Sequence, residues 1–194
     1  MKGFAKFITK VIFGLFFKVK LIHPENIPVK GPALLCATHN SMLDMFFLGF
    51  RLKRWIYWMA KEELFKNPIS GFIFRGLGAF SVKRGKGDVG SIKTAYKLLS
   101  EGKIIGIFPH GTRISEEGRK TARIKPGAAM LAVNSGVKII PATVKGSYKF
   151  FSQMKVIYGE PYSVNADSDK KYTSEDLSEI SADIMKKVYS LLED

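Results

Sequence analysis

The stretch Ala33-Leu-Leu-Cys-Ala-Thr-His39-Asn-Ser-Met-Leu-Asp44-Met-Phe-Phe-Leu48 says most about the architecture of this chain. Its apolar run over residues 33–38 predicts a buried strand, and the apolar residues after Asp44 predict a helix. His39 and Asp44 are then both near the carboxyl end of the strand, where sheets of parallel strands bind their ligands. An imidazole base beside a carboxylate that orients it is suited to taking a proton from a hydroxyl group.

A second interpretation of the same residues involves no chemistry. Ser41 can cap the amino end of the helix with Asp44 three residues later, as a variant of the capping box in which Asp replaces Glu. His39 is then an ordinary loop residue. These residues alone do not distinguish the two interpretations.

Two later segments have the composition of phosphate-binding loops. Gly78-Ala-Phe-Ser-Val-Lys-Arg84-Gly-Lys86 is a short apolar strand that ends in three cations, and Ile104-Ile-Gly-Ile-Phe-Pro-His110-Gly111-Thr112-Arg113 is a strand followed by a glycine turn. Arginine donates two parallel hydrogen bonds to a phosphate, while Gly111 and Thr112 offer backbone and hydroxyl donors. Either segment alone also fits an exposed strand end with solvated charges. Together with His39 and Asp44 they favour a catalytic site for a phosphorylated substrate.

Four blocks in order make the chain similar to the glycerolipid acyltransferase family, which includes the 1-acylglycerol-3-phosphate acyltransferases. The family patterns are H-x-x-x-x-D, G-x-x-F/I-x-x-R, F-P-E-G-T-R and V/I-P-V-x-I. They are matched by His39–Asp44, Gly78–Arg84, Phe108–Arg113 and Ile139–Val144. The resemblance extends over about residues 20–162.

The resemblance implies transfer of a fatty acyl group from a thioester of acyl carrier protein or coenzyme A to the free hydroxyl of 1-acylglycerol 3-phosphate (lysophosphatidate), giving phosphatidate for phospholipid synthesis. His39 is then the base and Asp44 its orienting partner. The resemblance also implies direct transfer without an acyl-enzyme, so Cys36 is expected to be a buried core residue. No cofactor is expected, and three histidines with one cysteine show no metal-ligand spacing.

The acceptor phosphate is expected to be held by Arg84 and Arg113, with Lys125, which fixes the acceptor hydroxyl near the base. Backbone amides near Gly111 or Gly127 are candidates for stabilising the oxyanion. Glycerol 3-phosphate and other lysophospholipids are alternative acceptors.

One position departs from the family pattern, because His110 stands where the family usually has Glu. An imidazole can exchange hydrogen bonds with a glycerol hydroxyl, but it lacks the fixed negative charge of a carboxylate. His110 therefore bears on acceptor choice and the pH optimum. It also leaves open a second base at this position, or a catalytically silent protein that binds lipid.

The charge of the chain is uneven. The formal net charge is +14, with 9 acidic and 4 basic residues in 160–194 and 27 basic and 8 acidic residues before them. The excess of basic residues in 1–159 predicts an anionic partner, such as a membrane surface, a carrier protein or a phosphorylated substrate. Nucleic acid is not expected, because no RNA-binding aromatic block, zinc pattern or recognition helix is evident. A single cysteine forms no internal disulfide, which is typical of a reducing cytoplasm.

Residues 1–22 are predicted to form a basic amphipathic helix in the membrane interface, on the cytoplasmic face of the cell membrane. Residues 1–20 contain five lysines and no acid, and Lys6 and Lys10 lie opposite an apolar side that includes Phe4, Phe7 and Val11. The longest apolar run, Val11–Phe17, is far shorter than the ~20 residues of a membrane span. The alternatives are a terminal helix packed on the domain and a signal peptide, although no clear cleavage site follows.

Residues 23–194 are predicted to form one α/β domain with a largely parallel central sheet flanked by helices, because apolar strands alternate with helical patterns. The predicted strands are Ala33–Thr38, Trp55–Ala60, Ala79–Val82, Ile104–Phe108, Ile139–Val144 and Lys155–Tyr158. The predicted helices are Ser41–Gly49, Ser70–Leu77, Asp88–Ser100, Ala128–Ser135 and a tail helix from about Thr173.

Overall fold

The computed structural model describes residues 2–83, 88–167 and 170–193. In these residues seven strands form one sheet in the order β1-β7-β6-β2-β5-β3-β4. The strands are β1 (Lys18–Ile22), β2 (Ala33–Ala37), β3 (Ile56–Lys61), β4 (Phe80–Val82), β5 (Ile104–Ile107), β6 (Lys138–Gly146) and β7 (Gln153–Tyr158). The predicted α/β class with a largely parallel sheet is confirmed.

The direction of the strands decides which loops meet. Every neighbouring pair is parallel except β6 and β7, which form an antiparallel hairpin. The carboxyl ends of β2, β5 and β6 therefore lie side by side at one edge of the sheet. Because β1 runs parallel to β7, its amino end lies at that same edge.

Helices cover both faces of the sheet. They are α1 (Lys2–Phe16), α2 (Asp44–Gly49), α3 (Pro68–Gly76), α4 (Val89–Ser100), α5 (Gly127–Ser135) and α6 (Ser174–Ser190). Successive strand residues point to opposite faces, so Leu35 joins the core beneath α1 and α2, while Leu34 and Cys36 join the core beneath α4, α5 and α6. Strands buried on both faces explain the continuous apolar runs in the sequence.

Helix α1 packs on the domain with its apolar stripe facing outward. Phe13 and Phe17 are buried against Phe47, with ring centroids 4.7 and 5.1 Å from it. Lys6 turns inward and donates hydrogen bonds to two backbone carbonyl groups, at 3.1 and 2.7 Å. The exposed side chains follow a helical spacing: Phe4, Phe7, Ile8, Val11, Ile12 and Leu15. We call these six residues the α1 stripe.

The amino-terminal segment differs from its prediction in one respect. The helix ends at Phe16, and Lys18–Ile22 form the edge strand β1, which was not predicted. The predicted unit of residues 1–22 thus contains a strand of the central sheet. In the described part of the chain, no helix combines the length and hydropathy that crossing a membrane requires.

Two helix starts show how local hydrogen bonds set the boundaries. The tail helix begins at Ser174 with a capping box in which Thr173 and Asp176 bond to each other's backbone amides, as its sequence predicts. Helix α2 begins at Asp44, three residues later than predicted. The reason is that the Asp44 carboxylate draws the preceding residues into a loop around itself.

Candidate active site

The candidate site forms where three strands end. His39 follows β2, Phe108 follows β5 directly, and Tyr148 lies in the turn after β6. The loops after β2 and β5 are joined by a hydrogen bond of 2.9 Å from the amide of Ile114 to the carbonyl of His39. The first and third sequence blocks are thus neighbours in space.

Asp44 is fully buried, and both of its carboxylate oxygens have partners. Oδ2 lies 3.5 Å from His39 Nδ1 and accepts hydrogen bonds from the amides of Asn40 and Ser41, at 2.7 and 2.8 Å. Oδ1 accepts a hydrogen bond of 2.5 Å from Tyr148 Oη. Asp44 therefore organises the loop that carries His39 and also stands beside its imidazole, so the two sequence interpretations describe one arrangement.

The imidazole of His39 is held on its face as well as on its edge. Its ring stacks on Phe108, with centroids 4.0 Å apart and planes inclined by 14°, and Phe108 stacks in turn on Trp58 at 4.8 Å. The side chain is 20% exposed. Because Nδ1 faces Asp44, the ring geometry leaves Nε2 on the opposite side, available to a ligand.

Tyr148 is a site residue that the four sequence blocks do not contain. Burial raises the pKa of its phenol, and the charge of Asp44 raises it further, so the hydroxyl stays protonated and donates to the carboxylate. His39 was a candidate because it follows the carboxyl end of a buried strand. Tyr148 also follows closely on the end of a buried strand, so the same rule applies to it. The predicted strand ended at Val144 and so left Tyr148 unremarked.

The loop after β5 is built around a close approach between Gly111 and Lys125. Gly111 has a φ of 68°, and a Cβ at this position would meet the Lys125 ammonium nitrogen at 2.8 Å. The positive φ favours glycine, and a side chain here would displace the flexible Lys125 side chain from the loop. The Gly111 amide donates to the carbonyl of Phe108 at 2.7 Å, which closes the turn. This amide is therefore engaged within the loop, and the Lys125 side chain lies against Gly111.

Arginine side chains line a cavity of about 480 Å³ next to Asp44. Arg113, Arg119, Asn40 and Tyr148 all contribute to its wall. Arg119 is 17% exposed and lies 3.4 Å from Glu116, and its buried Nε atom has no hydrogen-bond partner among the described residues. Glu116 and Glu117 also line this cavity, so its charge is mixed, and the two guanidinium groups are the part of its wall that can bind a phosphate dianion. Arg119 was not among the predicted residues, and Arg84 lies outside the described residues.

His110 points to the tail helix. Its Nδ1 atom lies 3.1 Å from the carbonyl of Arg123, and its Nε2 atom lies 2.5 Å from Tyr189 Oη. The side chain is 5% exposed. A carbonyl only accepts, so Nδ1 donates to it, and in the neutral ring the Tyr189 hydroxyl donates to Nε2. Both nitrogens are engaged in contacts that tie the loop after β5 to α6, which differs from the acceptor-contacting place predicted from the sequence.

The remaining predicted loop residues are accounted for as follows. Thr112 is exposed beside Arg113. Gly127 opens α5, and the first amides of a helix have no intrahelical acceptor. Cys36 is fully buried, and burial raises the pKa of its thiol to about 12, so it is protonated near neutral pH. In the described residues, no three side chains of metal-ligating type lie close together.

A larger cavity of about 620 Å³ lies between α1, α2 and β3. Its wall is mostly apolar and includes Phe46, Phe50 and Trp58, and five cationic residues also line it: Lys6, Lys10, Arg51, Lys53 and Arg54. Trp58 belongs to the ring stack that supports His39. Asn40, which follows His39 in the sequence, lines the arginine cavity. His39 lines neither cavity, but it is linked to the larger one through the ring stack with Phe108 and Trp58 and to the arginine cavity through its neighbour Asn40.

Comparison with known proteins gives consistent matches. The family model described as Acyltransferase matches residues 18–145. A 1-acyl-sn-glycerol-3-phosphate acyltransferase of Bacillus subtilis is 37% identical over 167 residues, covering 83% of this chain and 82% of that protein. The chloroplastic enzyme LPAT1 of Arabidopsis thaliana is 31% identical over 76% of this chain and 43% of its own length. The crystal structure of the 1-acyl-sn-glycerophosphate (LPA) acyltransferase PlsC from Thermotoga maritima matches with a TM-score of 0.72 and 25% identity, over 98% of this chain and 79% of that one.

Proposed function

Because the chain belongs to the acyltransferase family, we propose that it transfers a fatty acyl group from an acyl thioester to the free hydroxyl of 1-acylglycerol 3-phosphate, making phosphatidate. The observation that carries the proposal is that His39 is connected to both cavities, to one through its ring stack with Phe108 and Trp58 and to the other through Asn40. An apolar cavity suits an acyl chain, and a cavity with two arginines suits the phosphate of the acceptor.

His39 is the general base of the proposed reaction. Its Nε2 atom takes the proton of the acceptor hydroxyl while the hydroxyl oxygen attacks the thioester carbonyl. The resulting tetrahedral oxyanion expels the thiolate, which receives the proton back from the imidazolium. The Asp44 carboxylate lies 3.5 Å from Nδ1, and its negative charge stabilises the imidazolium that forms. The acceptor hydroxyl takes the place of an enzyme serine.

The acceptor is positioned by its phosphate. Arg113 and Arg119 line the cavity beside Asn40, so a phosphate bound there places the glycerol backbone close to His39. Lys125 and Arg84 are further candidates from the sequence. The phosphate monoester of the acceptor carries up to two negative charges. Several cations in one site therefore bind the acceptor through its phosphate headgroup rather than through its acyl chain.

The donor is bound by the apolar cavity. A volume of about 620 Å³ lies within the range of ligand pockets. Lys10 and Lys53 in its wall suit a donor that carries phosphate groups, and both acyl carrier protein and coenzyme A do so.

The α1 stripe supports docking to a membrane surface, and we propose that this surface is the cytoplasmic face. A helix that serves only to cover a domain turns its apolar side inward, whereas α1 exposes six apolar side chains and turns Lys6 inward. Burial of this stripe in the acyl boundary of an anionic leaflet is the arrangement of an interfacial helix. A lipid acceptor then reaches the site without crossing water.

Product analysis tests the proposed function. The purified full chain is supplied with palmitoyl thioesters of acyl carrier protein or coenzyme A, and with either 1-acylglycerol 3-phosphate or glycerol 3-phosphate. Mass spectrometry of the lipid products is expected to show phosphatidate from the first acceptor. If glycerol 3-phosphate gives lysophosphatidate and 1-acylglycerol 3-phosphate gives no phosphatidate, then glycerol 3-phosphate is the acceptor.

A further inference from the structure

The turn between β6 and β7, residues 147–152, connects the active site to the surface that carries α1. Tyr148 lies at its start and donates to the buried Asp44. Two residues later the turn presents Phe150 and Phe151, which are 70% and 67% exposed. The same six-residue turn therefore contacts a catalytic carboxylate at one end and displays two aromatic rings to solvent at the other.

The 147–152 turn is hydrogen-bonded to the carboxyl end of α1 and packs against it. The amide of Phe151 donates to the carbonyl of Phe16 at 2.6 Å, and the amide of Lys18 donates to the carbonyl of Ser152 at 3.0 Å. The ring of Phe150 lies 5.3 Å from that of Phe16. Phe151 adopts a φ of 65°, which costs energy in a residue with a side chain and is maintained by these contacts.

The exposed rings continue the α1 stripe. Leu15 at its end is 65% exposed, and Phe16 next to it touches both Phe150 and Phe151. Lys18 and Lys149 are exposed beside them. Apolar side chains bordered by lysines on one surface match an anionic phospholipid leaflet, in which rings enter the acyl boundary and ammonium groups meet the headgroups.

We propose that the 147–152 turn is a second lipid-contacting element, and that contact of Phe150 and Phe151 with an anionic phospholipid surface further restrains the turn that carries the Tyr148–Asp44 hydrogen bond. Tyr148 is then a positioning residue, which acts on the reaction through Asp44 and His39. The effect on turnover rests on the proposed function. The contact of the turn with lipid does not depend on any reaction.

Vesicle binding tests the lipid contact. The full chain is sedimented with vesicles of phosphatidylglycerol and phosphatidylcholine, and with vesicles of phosphatidylcholine alone. The double variant Phe150→Ser/Phe151→Ser is expected to lower the partition to anionic vesicles about tenfold. The matched control Val29→Ser/Val89→Ser changes two valines that are 83% and 64% exposed elsewhere, and it is expected to bind as wild type. Equal binding of both double variants, or equal binding of wild type to neutral vesicles, overturns the lipid contact.

Turnover of short-chain, water-soluble substrates tests the link to Asp44. Tyr148→Phe is expected to lower kcat about tenfold with unchanged KM and unchanged vesicle binding. Phe150→Ser/Phe151→Ser is expected to keep the rate measured without vesicles and to lose the stimulation by anionic vesicles. A kcat of Tyr148→Phe equal to wild type, or full stimulation of the double serine variant, overturns the link. An absence of turnover in wild type contradicts the proposed function and leaves the vesicle result to decide the lipid contact.

Discussion

His39 and Phe108 stack face to face, with ring centroids 4.0 Å apart and planes inclined by 14°. Trp58 extends the stack on the other side of Phe108. The aromatic column fixes the plane of the imidazole, and the charge of Asp44, 3.5 Å from Nδ1, favours the rotation in which Nδ1 faces it. Two residues from separate sequence blocks thus hold the base in one orientation, and rigid positioning of a base is a large part of its catalytic effect.

We expect Phe108→Leu to lower kcat about tenfold with little change in KM, because leucine fills the space but does not stack on the imidazole. Steady-state kinetics with saturating donor measure both constants. Circular dichroism shows whether the variant is folded, and an unchanged kcat would mean that the stack is only packing.

Arg119→Ala and Arg113→Ala are each expected to raise the KM for the phosphorylated acceptor about tenfold or more, because each removes charge-assisted hydrogen bonds to the phosphate. Arg75→Ala, at an exposed position on α3, is the control for loss of one positive charge. An acceptor that lacks the phosphate should show no difference between Arg119→Ala and wild type. If it shows the same rise in KM, Arg119 does not bind the phosphate.

His110→Glu is expected to destabilise the fold by about 2 kcal/mol, although Glu is the usual residue of the similar family at this position. A carboxylate cannot donate to the carbonyl of Arg123, and it would be buried against it. Tyr189→Phe should cost about 1 kcal/mol by removing the other partner. Urea unfolding measures both values, and a His110→Glu variant as stable as wild type would contradict the structural role given to the imidazole.

Ionisation of Asp176 is expected to make the stability of the fold depend on pH under acid conditions. Hydrogen bonds from Lys170 and from Thr173 lower the pKa of its carboxyl from 3.8 to about 2. The ionised carboxylate therefore stabilises the fold above pH 3.8, and this contribution is lost as the pH falls towards 2. Asp176→Asn should reduce the loss of melting temperature across this pH interval. Thermal melts of Asp183→Asn, on the same helix, provide the control.

Phe7→Ser/Leu15→Ser is expected to weaken binding to anionic vesicles about tenfold and to leave the melting temperature in solution unchanged. Both side chains are more than 60% exposed, so they contribute little to packing in the domain. Sedimentation and thermal melts measure the two effects separately. A lower melting temperature without a change in binding would show that the stripe serves the fold.

The position of His39 and Asp44 could be predicted because both depend on local patterns, namely a buried strand and the residues that follow it. The orientation of α1 could not. An amphipathic pattern shows that a helix has two sides, but not whether the apolar side meets a core or a membrane. Strand β1 was missed because its lysines were assigned to the basic amino-terminal helix, although the alternation of lysine with apolar residues in Lys18–Ile22 is a strand pattern that pairing with β7 fulfils.

The roles of Tyr148 and His110 depend on contacts far along the chain. Tyr148 meets Asp44 across 104 positions, and His110 meets Tyr189 across 79. No local pattern records such a contact. The motif comparison placed His110 with the acceptor because the family pattern is local, whereas the direction of its side chain is set by the tail helix.

The most direct test of the account measures release of free thiol from an acyl thioester, with and without 1-acylglycerol 3-phosphate, in wild type and in folded His39→Ala. We expect acceptor-dependent release in wild type and a rate lower by about 10²–10⁴-fold in the variant. Near-normal acceptor-dependent release from folded His39→Ala would contradict the assignment of His39 as the base.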